Sequence, residues 1–230
     1  MEDIADNITQ VRRKIATAAA RRGEEPGNIT VVGVSKNVPV KRMNAAIRAG
    51  ITDIGENRVQ EALKKYFDVE PVSWHFIGHL QRNKVKDVLT RFDLIHSLDR
   101  ISLAKEIQKR AARLEMVVPC LVQVNVAGEE SKFGISPAEL KVFLQQIVSF
   151  PNIKVCGLMT IAPYCTDAEK VRPIFRRLRE MFEDEDYPAG VSMQFLSMGM
   201  SGDFEVAVEE GANMVRIGTA IFGRRADSDK

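Results

Sequence analysis

Cysteine is scarce: Cys120, Cys156 and Cys165 are the only three in 230 residues. An odd number this small does not build a disulfide scaffold and suits a reducing compartment. With one tryptophan and three tyrosines, the chain has no basic patch interleaved with aromatics of the kind that stacks on RNA bases. Neither sign of charge dominates, since 33 Lys and Arg against 31 Asp and Glu leave a net +2. No strong field is therefore aimed at nucleic acid or a lipid surface. No apolar run approaches the roughly 18–20 residues of a membrane helix. Glu2, Asp3 and Asp6 stand where a secretory signal would be basic and then apolar. We expect a cytoplasmic protein without a membrane or nucleic-acid partner.

A hydrophobic content of 45% beside 28% charged residues is that of an ordinary globular chain. Ile4, Ile8, Val11 and Ile15 recur at helical spacing, and Gly23 and Pro26 end that pattern. From Ile29 onward, short apolar runs alternate with helical stretches, as in βαβ units. The strand candidates are Ile29–Val34, Thr52–Ile54, Ser73–Ile77, Leu94–Ser97, Cys120–Val124, Lys154–Met159, Gln194–Ser197 and Asn213–Ile217. Between them, Ser136–Val148 has a good N-cap and N1 pair in Ser136-Pro137, and Asp167–Phe182 carries a Pro173 that should kink it or delay its start. Eight strands joined by helices point to a closed (β/α)8 barrel of the TIM type, with a doubly wound open sheet as the alternative. Residues 1–223 read as a single domain and 224–230 as a tail. Only that tail follows the eighth strand, so a final helix is expected to be missing, with the N-terminal helix covering the gap.

In a barrel, chemistry collects where strands run out into the following loops. Here those places hold Lys36, Glu56-Asn57, Gly78-His79, Ser97, Asn125, Met159-Thr160, the run Ser197-Met198-Gly199-Met200-Ser201-Gly202, and Arg216 leading to Gly218-Thr219. Lys36 leaves a nearly all-apolar strand. A desolvated lysine loses its proton more easily and can attack a carbonyl, although a solvated lysine at a loop edge is the plainer reading. Ser201-Gly202 opens the seventh helix and Gly218-Thr219 follows the eighth strand, the two places where barrels often bind phosphate. Ordinary Gly/Ser turns would look the same. Arg216 shares a strand face with Gly218, either beside such an anion or in a structural ion pair.

These residues carry a resemblance. The chain resembles the pyridoxal 5′-phosphate (PLP) homeostasis proteins, a single-domain branch of the barrel seen in alanine racemase N-terminal domains. The matching stretches are Val34-Ser35-Lys36, Gly55 to Glu61, Trp74 to Lys84, Val124-Asn125, Lys132-Phe133-Gly134, Gly157 to Thr160, Leu196 to Ser201 and Arg216 to Thr219. The resemblance implies PLP as cofactor, held by Lys36 as a Schiff base. It implies that Ser201, Gly218 and Thr219 hold the phosphate, that Arg216 faces the pyridine nitrogen, and that Asn57 and Met159 line the cofactor. An arginine cannot accept a ring proton, so the ring would be a weak electron sink.

The racemases carry a second, β-rich domain with a catalytic tyrosine, for which 230 residues leave no room. Tyr66, Tyr164 and Tyr187 fall in expected helix or loop, and none matches that role. The expectation is a monomeric carrier in PLP homeostasis, without dedicated catalysis and with PLP-dependent enzymes as recipients. A PLP-dependent racemase or decarboxylase is the alternative, and a Schiff-base aldolase without PLP is a third reading. His75, His79 and His96 lack the pattern of a metal site. Cys165 is a plain loop residue, and Glu183-Asp184-Glu185-Asp186 a solvated helix end.

Overall fold

In a computed structural model, residues 3–129, 131–184 and 186–223 are described. The eight strands are β1 Thr30–Val34, β2 Asp53–Glu56, β3 Ser73–Phe76, β4 Leu94–Leu98, β5 Val118–Gln123, β6 Ile153–Met159, β7 Phe195–Ser197 and β8 Met214–Ile217. All pair in parallel and in sequence order. The ring closes where β8 meets β1, with Val32 beside Arg216 and Gly33 beside Ile217. An open sheet is thereby excluded. The second strand ends two residues later than the sequence pattern suggests, because Glu56 belongs to the wall and is buried there.

The helices are α1 Ile4–Arg22, α2 Val40–Arg48, α3 Val59–Lys65, α4 Val85–Leu89, α5 Ile101–Arg113, α6 Leu140–Ile147, α7 Arg172–Phe182, α8 Phe204–Glu209 and α9 Thr219–Phe222. The last of these corrects the expectation that no helix follows the eighth strand. Asp3 caps α1 through the Ala5 N–H, and Gly23 ends it in the left-handed conformation at φ 76°. The apolar stripe of α1 packs across α2, α8 and α9, and Asn7 donates to the Ile221 carbonyl at 3.0 Å. The N-terminal helix thus covers the gap, as expected. The tail, 224–230, lies outside the described residues. Pro173 is the second residue of α7, behind a 3-10 turn over Ala168–Val171, so it delays that helix rather than kinking it. Among the described residues no helix is long and apolar enough to cross a membrane.

Strand alternation divides the buried residues between two faces. Trp74, Phe76, Val122, Leu158 and Val215 point outward into the main core under the helices. Val32, Leu94, Leu121, Cys156, Met159 and Met214, with Phe195 against them, fill the barrel interior. Two residues farther along their strands, Leu94, Phe195 and Met214 are followed by His96, Ser197 and Arg216 on the same face. An apolar layer therefore lies beneath a polar one, and the polar layer is nearer the mouth.

Candidate functional site

Lys36 sits two residues past β1 in a tight turn. The Ser35 N–H donates to the Gly55 carbonyl at 3.0 Å and the Val38 N–H closes back on Ser35 at 2.9 Å. Asn37 takes a positive φ of 58°, which asparagine tolerates better than most residues. Lys36 is half-buried, and among the described residues it has no carboxylate at ion-pair distance. Its neighbours are clamped from outside the wall. Ser35 Oγ donates to Glu56 Oε1 at 2.6 Å, and Lys65 Nζ on α3 donates to the Ser35 carbonyl at 3.1 Å, to Glu56 at 3.2 Å and to Glu61 at 2.6 Å. Glu61 also accepts the Asn37 N–H. Burial raises the Glu56 pKa above the ordinary range, against the opposing pull of the Ser35 hydrogen bond and the Lys65 charge.

Across the β8–β1 seam, Ser201 Oγ accepts from both the Gly218 and Ala220 N–H groups, at 3.2 Å each. The hydroxyl thus holds together two backbone donors at the start of α9. Contrary to the sequence reading, Ser201-Gly202 forms a turn ahead of α8, because the Asp203 side chain takes the Met200 N–H and the helix begins at Phe204. Gly199 makes the tight exit from β7 possible: its φ is 91°, and an added Cβ would lie 2.6 Å from that of Ala207. Thr219 is exposed beside this cradle.

Arg216 lies deeper, level with Val32 and four residues below Lys36. It is almost fully buried, donating to Ser197 Oγ and to the Thr160 carbonyl, each at 2.7 Å. No carboxylate lies at ion-pair distance among the described residues, so the structural ion pair considered from sequence is not what holds it. Burial lowers its pKa to about 10, against the partly offsetting Asp203 charge, and the guanidinium is still charged at neutral pH. Met159 is fully buried in the apolar layer below. Asn57 is exposed, the first residue past β2.

The sequence-selected residues therefore lie on one continuous arc, from β6 through β7, β8 and β1 to β2. Ser201 and Gly218 touch, whereas Lys36, Asn57 and Thr219 make no recorded side-chain hydrogen bond to the others. Sequence reasoning missed the Ala220 N–H, which a side-chain reading cannot find, and the Glu61–Lys65 clamp, whose i,i+4 spacing was a usable signal.

The three histidines separate. His79 stacks on Phe133 with ring centroids 3.7 Å apart and faces Asp99 at 3.4 Å, while His75 and His96 meet inside the barrel. Among the described residues no group of three or more His, Cys, Asp or Glu is arranged for a metal ion. Asp184 and Asp186 pair with Lys141, and Glu183 lies near Arg22 and Arg179. Glu185 falls outside the described residues.

Residues 2–226 match the family model described as "Alanine racemase, N-terminal domain". A pyridoxal phosphate homeostasis protein of Aquifex aeolicus is 47% identical over 222 residues, covering 96% of this chain and 97% of its own length. The chain belongs to the pyridoxal phosphate homeostasis protein family. Among solved structures, that of PipY of Synechococcus elongatus PCC7942 with PLP bound aligns at a TM-score of 0.81 and 32% identity, covering 96% of this chain and 100% of that one. Alanine racemase of Clostridium difficile 630 aligns at a TM-score of 0.69 and 15% identity, over 100% of this chain but 58% of its own. That likeness is one of fold, the barrel being shared and the rest of the racemase having no counterpart in these 230 residues.

Proposed function

We propose that this protein binds pyridoxal phosphate at the mouth over β6 to β2 and serves PLP homeostasis without dedicated catalysis. The observation that carries this reading is the order of three unlike groups around the closing seam. A cradle of Ser201 Oγ with the Gly218 and Ala220 N–H groups suits a phosphate, buried Arg216 suits a ring nitrogen, and the amine of Lys36, without an ion-pair partner among the described residues, suits an aldehyde. The bound cofactor supplies an aldehyde carbon that accepts a primary amine.

Within this reading, Lys36 Nζ is the anchor and the Ser35–Glu56–Lys65 clamp fixes the turn that presents it. Arg216 has donors only, so it holds the ring nitrogen unprotonated and weakens the cofactor as an electron sink. Ser201, Gly218 and Thr219 retain the phosphate, with Asn57 at the rim and Met159 as apolar support below.

The placement of the tyrosines supports a role without dedicated proton transfer. Tyr66 packs on Phe67 and Trp74, Tyr187 donates to the Met181 carbonyl, and Tyr164 is exposed. A monomeric cytoplasmic carrier with PLP-dependent enzymes as recipients completes the proposal. Adding PLP to wild type should produce a new visible band, absent in Lys36→Ala with an unchanged far-ultraviolet spectrum. A full band in that variant, or steady turnover of a D- or L-amino acid by wild type, would overturn the corresponding half of the proposal.

A further inference from the structure

Behind Arg216, a single file of buried polar groups crosses the barrel interior. Arg216 Nη1 lies 2.7 Å from Ser197 Oγ, Ser197 Oγ 3.1 Å from His96 Nδ1, His96 Nε2 3.0 Å from His75 Nδ1, and His75 Nε2 3.1 Å from Asp53 Oδ1. The five residues come from β8, β7, β4, β3 and β2. His96 and Ser197 are fully buried and His75 and Arg216 nearly so. Asp53, at the start of β2, also lines a cavity of about 420 Å³ with Arg12, Thr30 and Thr52, away from the mouth.

Donor capacity sets the direction of every bond in this file. A guanidinium only donates, so Ser197 Oγ accepts from Arg216. Among the described residues the other side-chain partner of the Ser197 hydroxyl is His96 Nδ1, at 3.1 Å, and we assign the single hydroxyl hydrogen to that contact, with Nδ1 accepting. Burial above all, with the Arg216 charge beside it, holds the His96 pKa well below the ordinary value. Neutral His96 therefore carries its hydrogen on Nε2 and gives it to His75 Nδ1. That leaves the His75 hydrogen on Nε2, donated to Asp53. Burial alone would raise the Asp53 pKa, but hydrogen bonds from His75 and Thr52 bring it below the ordinary range, so a carboxylate ends the chain. Each bond points from the cation toward the anion, an arrangement in which successive hydrogen bonds polarise one another.

We propose that Ser197, His96, His75 and Asp53 are positioning residues of the ring site: a directed hydrogen-bond chain that fixes Arg216 as a donor toward the mouth, with Asp53 as its terminal acceptor. The assignment to a ring site rests on the proposed PLP reading; the direction of the chain does not. Asp53 thereby acts on Arg216 from across the barrel interior, through Ser197, His96 and His75.

The test has two arms. Nitrogen-15 spectra of the ligand-free full-length protein at pH 8, assigned with His75→Asn and His79→Asn variants, should show His75 and His96 each with hydrogen on Nε2. A hydrogen on Nδ1 of His96 would overturn the chain. In the PLP-loaded protein, Ser197→Ala and Asp53→Asn should each shift the pH midpoint of the visible band by about half a unit or more, with far-ultraviolet spectrum and urea midpoint close to wild type. An unmoved pH profile in both folded variants would overturn the link to the ring. Failure of wild type to take up PLP would sink the functional reading and the ring-site assignment with it, while the tautomers still decide the direction of the chain.

Discussion

Strand β2 serves two buried polar clusters of opposite character, one on each side of the barrel wall. Asp53 faces inward and ends the His75–His96–Ser197–Arg216 file; Glu56, three residues on and so on the other face, joins Ser35, Lys65 and Glu61 under α3. Inside, each ring nitrogen and the hydroxyl of the file has a partner, and one cation and one anion sit at its two ends. Outside, two carboxylates compete for one ammonium, and Glu56 Oε2 is buried with no hydrogen-bond partner among the described residues. The inner cluster aims a donor, whereas the outer one clamps a backbone turn. The inner cluster should therefore govern the spectrum of a bound cofactor, and the outer one the pH dependence of stability.

The largest break expected is Lys65→Met. It leaves Glu56 buried without its cation, which typically costs about 3–5 kcal/mol. Urea unfolding at pH 8 should show the loss, and at a lower pH, where Glu56 takes up a proton, the loss should shrink. A loss of the same size at both pH values would contradict the role given to Glu56.

Breaking the inner file is expected to cost less. His96→Phe leaves the Ser197 hydroxyl and His75 Nδ1 without their partner, a penalty of about 1–3 kcal/mol. Urea unfolding at a single pH would measure it. An unchanged midpoint would mean that the file contributes nothing to the fold.

Glu56→Gln sharpens the contrast through sign rather than size. Because the folded-state pKa of Glu56 is raised, the native state binds more protons than the unfolded chain just above the ordinary carboxylate range. Its contribution to stability therefore falls as pH rises through that window. The glutamine variant lacks this fall and should gain on wild type between pH 4.5 and pH 8. Parallel stability curves would argue against a buried, reluctant carboxylate.

The smallest effect belongs to Ser201→Ala. Loss of one hydroxyl that gathers two N–H groups should cost stability about 1 kcal/mol or less. PLP affinity should fall by roughly fivefold, since about 1 kcal/mol corresponds to that factor. Equilibrium titration reads the second quantity directly, and an unchanged affinity would move the phosphate away from this cradle.

Much of this architecture is legible in the sequence because it depends on local rhythm. Short apolar runs such as Ile29–Val34 and Lys154–Met159 announce strands at nearly their observed bounds, and Ser201 and Gly218 stand out by their positions after strands seven and eight. What stayed hidden depends on register. The sequence pattern ends β2 early because Gly55 and Glu56 are poor strand formers, and only the pairing of β1 with β2 reveals that Ser35 and Lys65 meet Glu56 on the far face. α9 is a single turn, too short to show helical periodicity. His75 and His96 are 21 residues apart; neither spacing nor composition predicts that two neighbouring strands bring their rings together inside the barrel.

The most direct test of the account is borohydride reduction of the full-length protein incubated with PLP, followed by peptide mapping. A pyridoxyl label is expected on Lys36 and none on Lys65, whose amine is engaged by Glu56 and Glu61. A label on another lysine, with Lys36 unmodified, would contradict it.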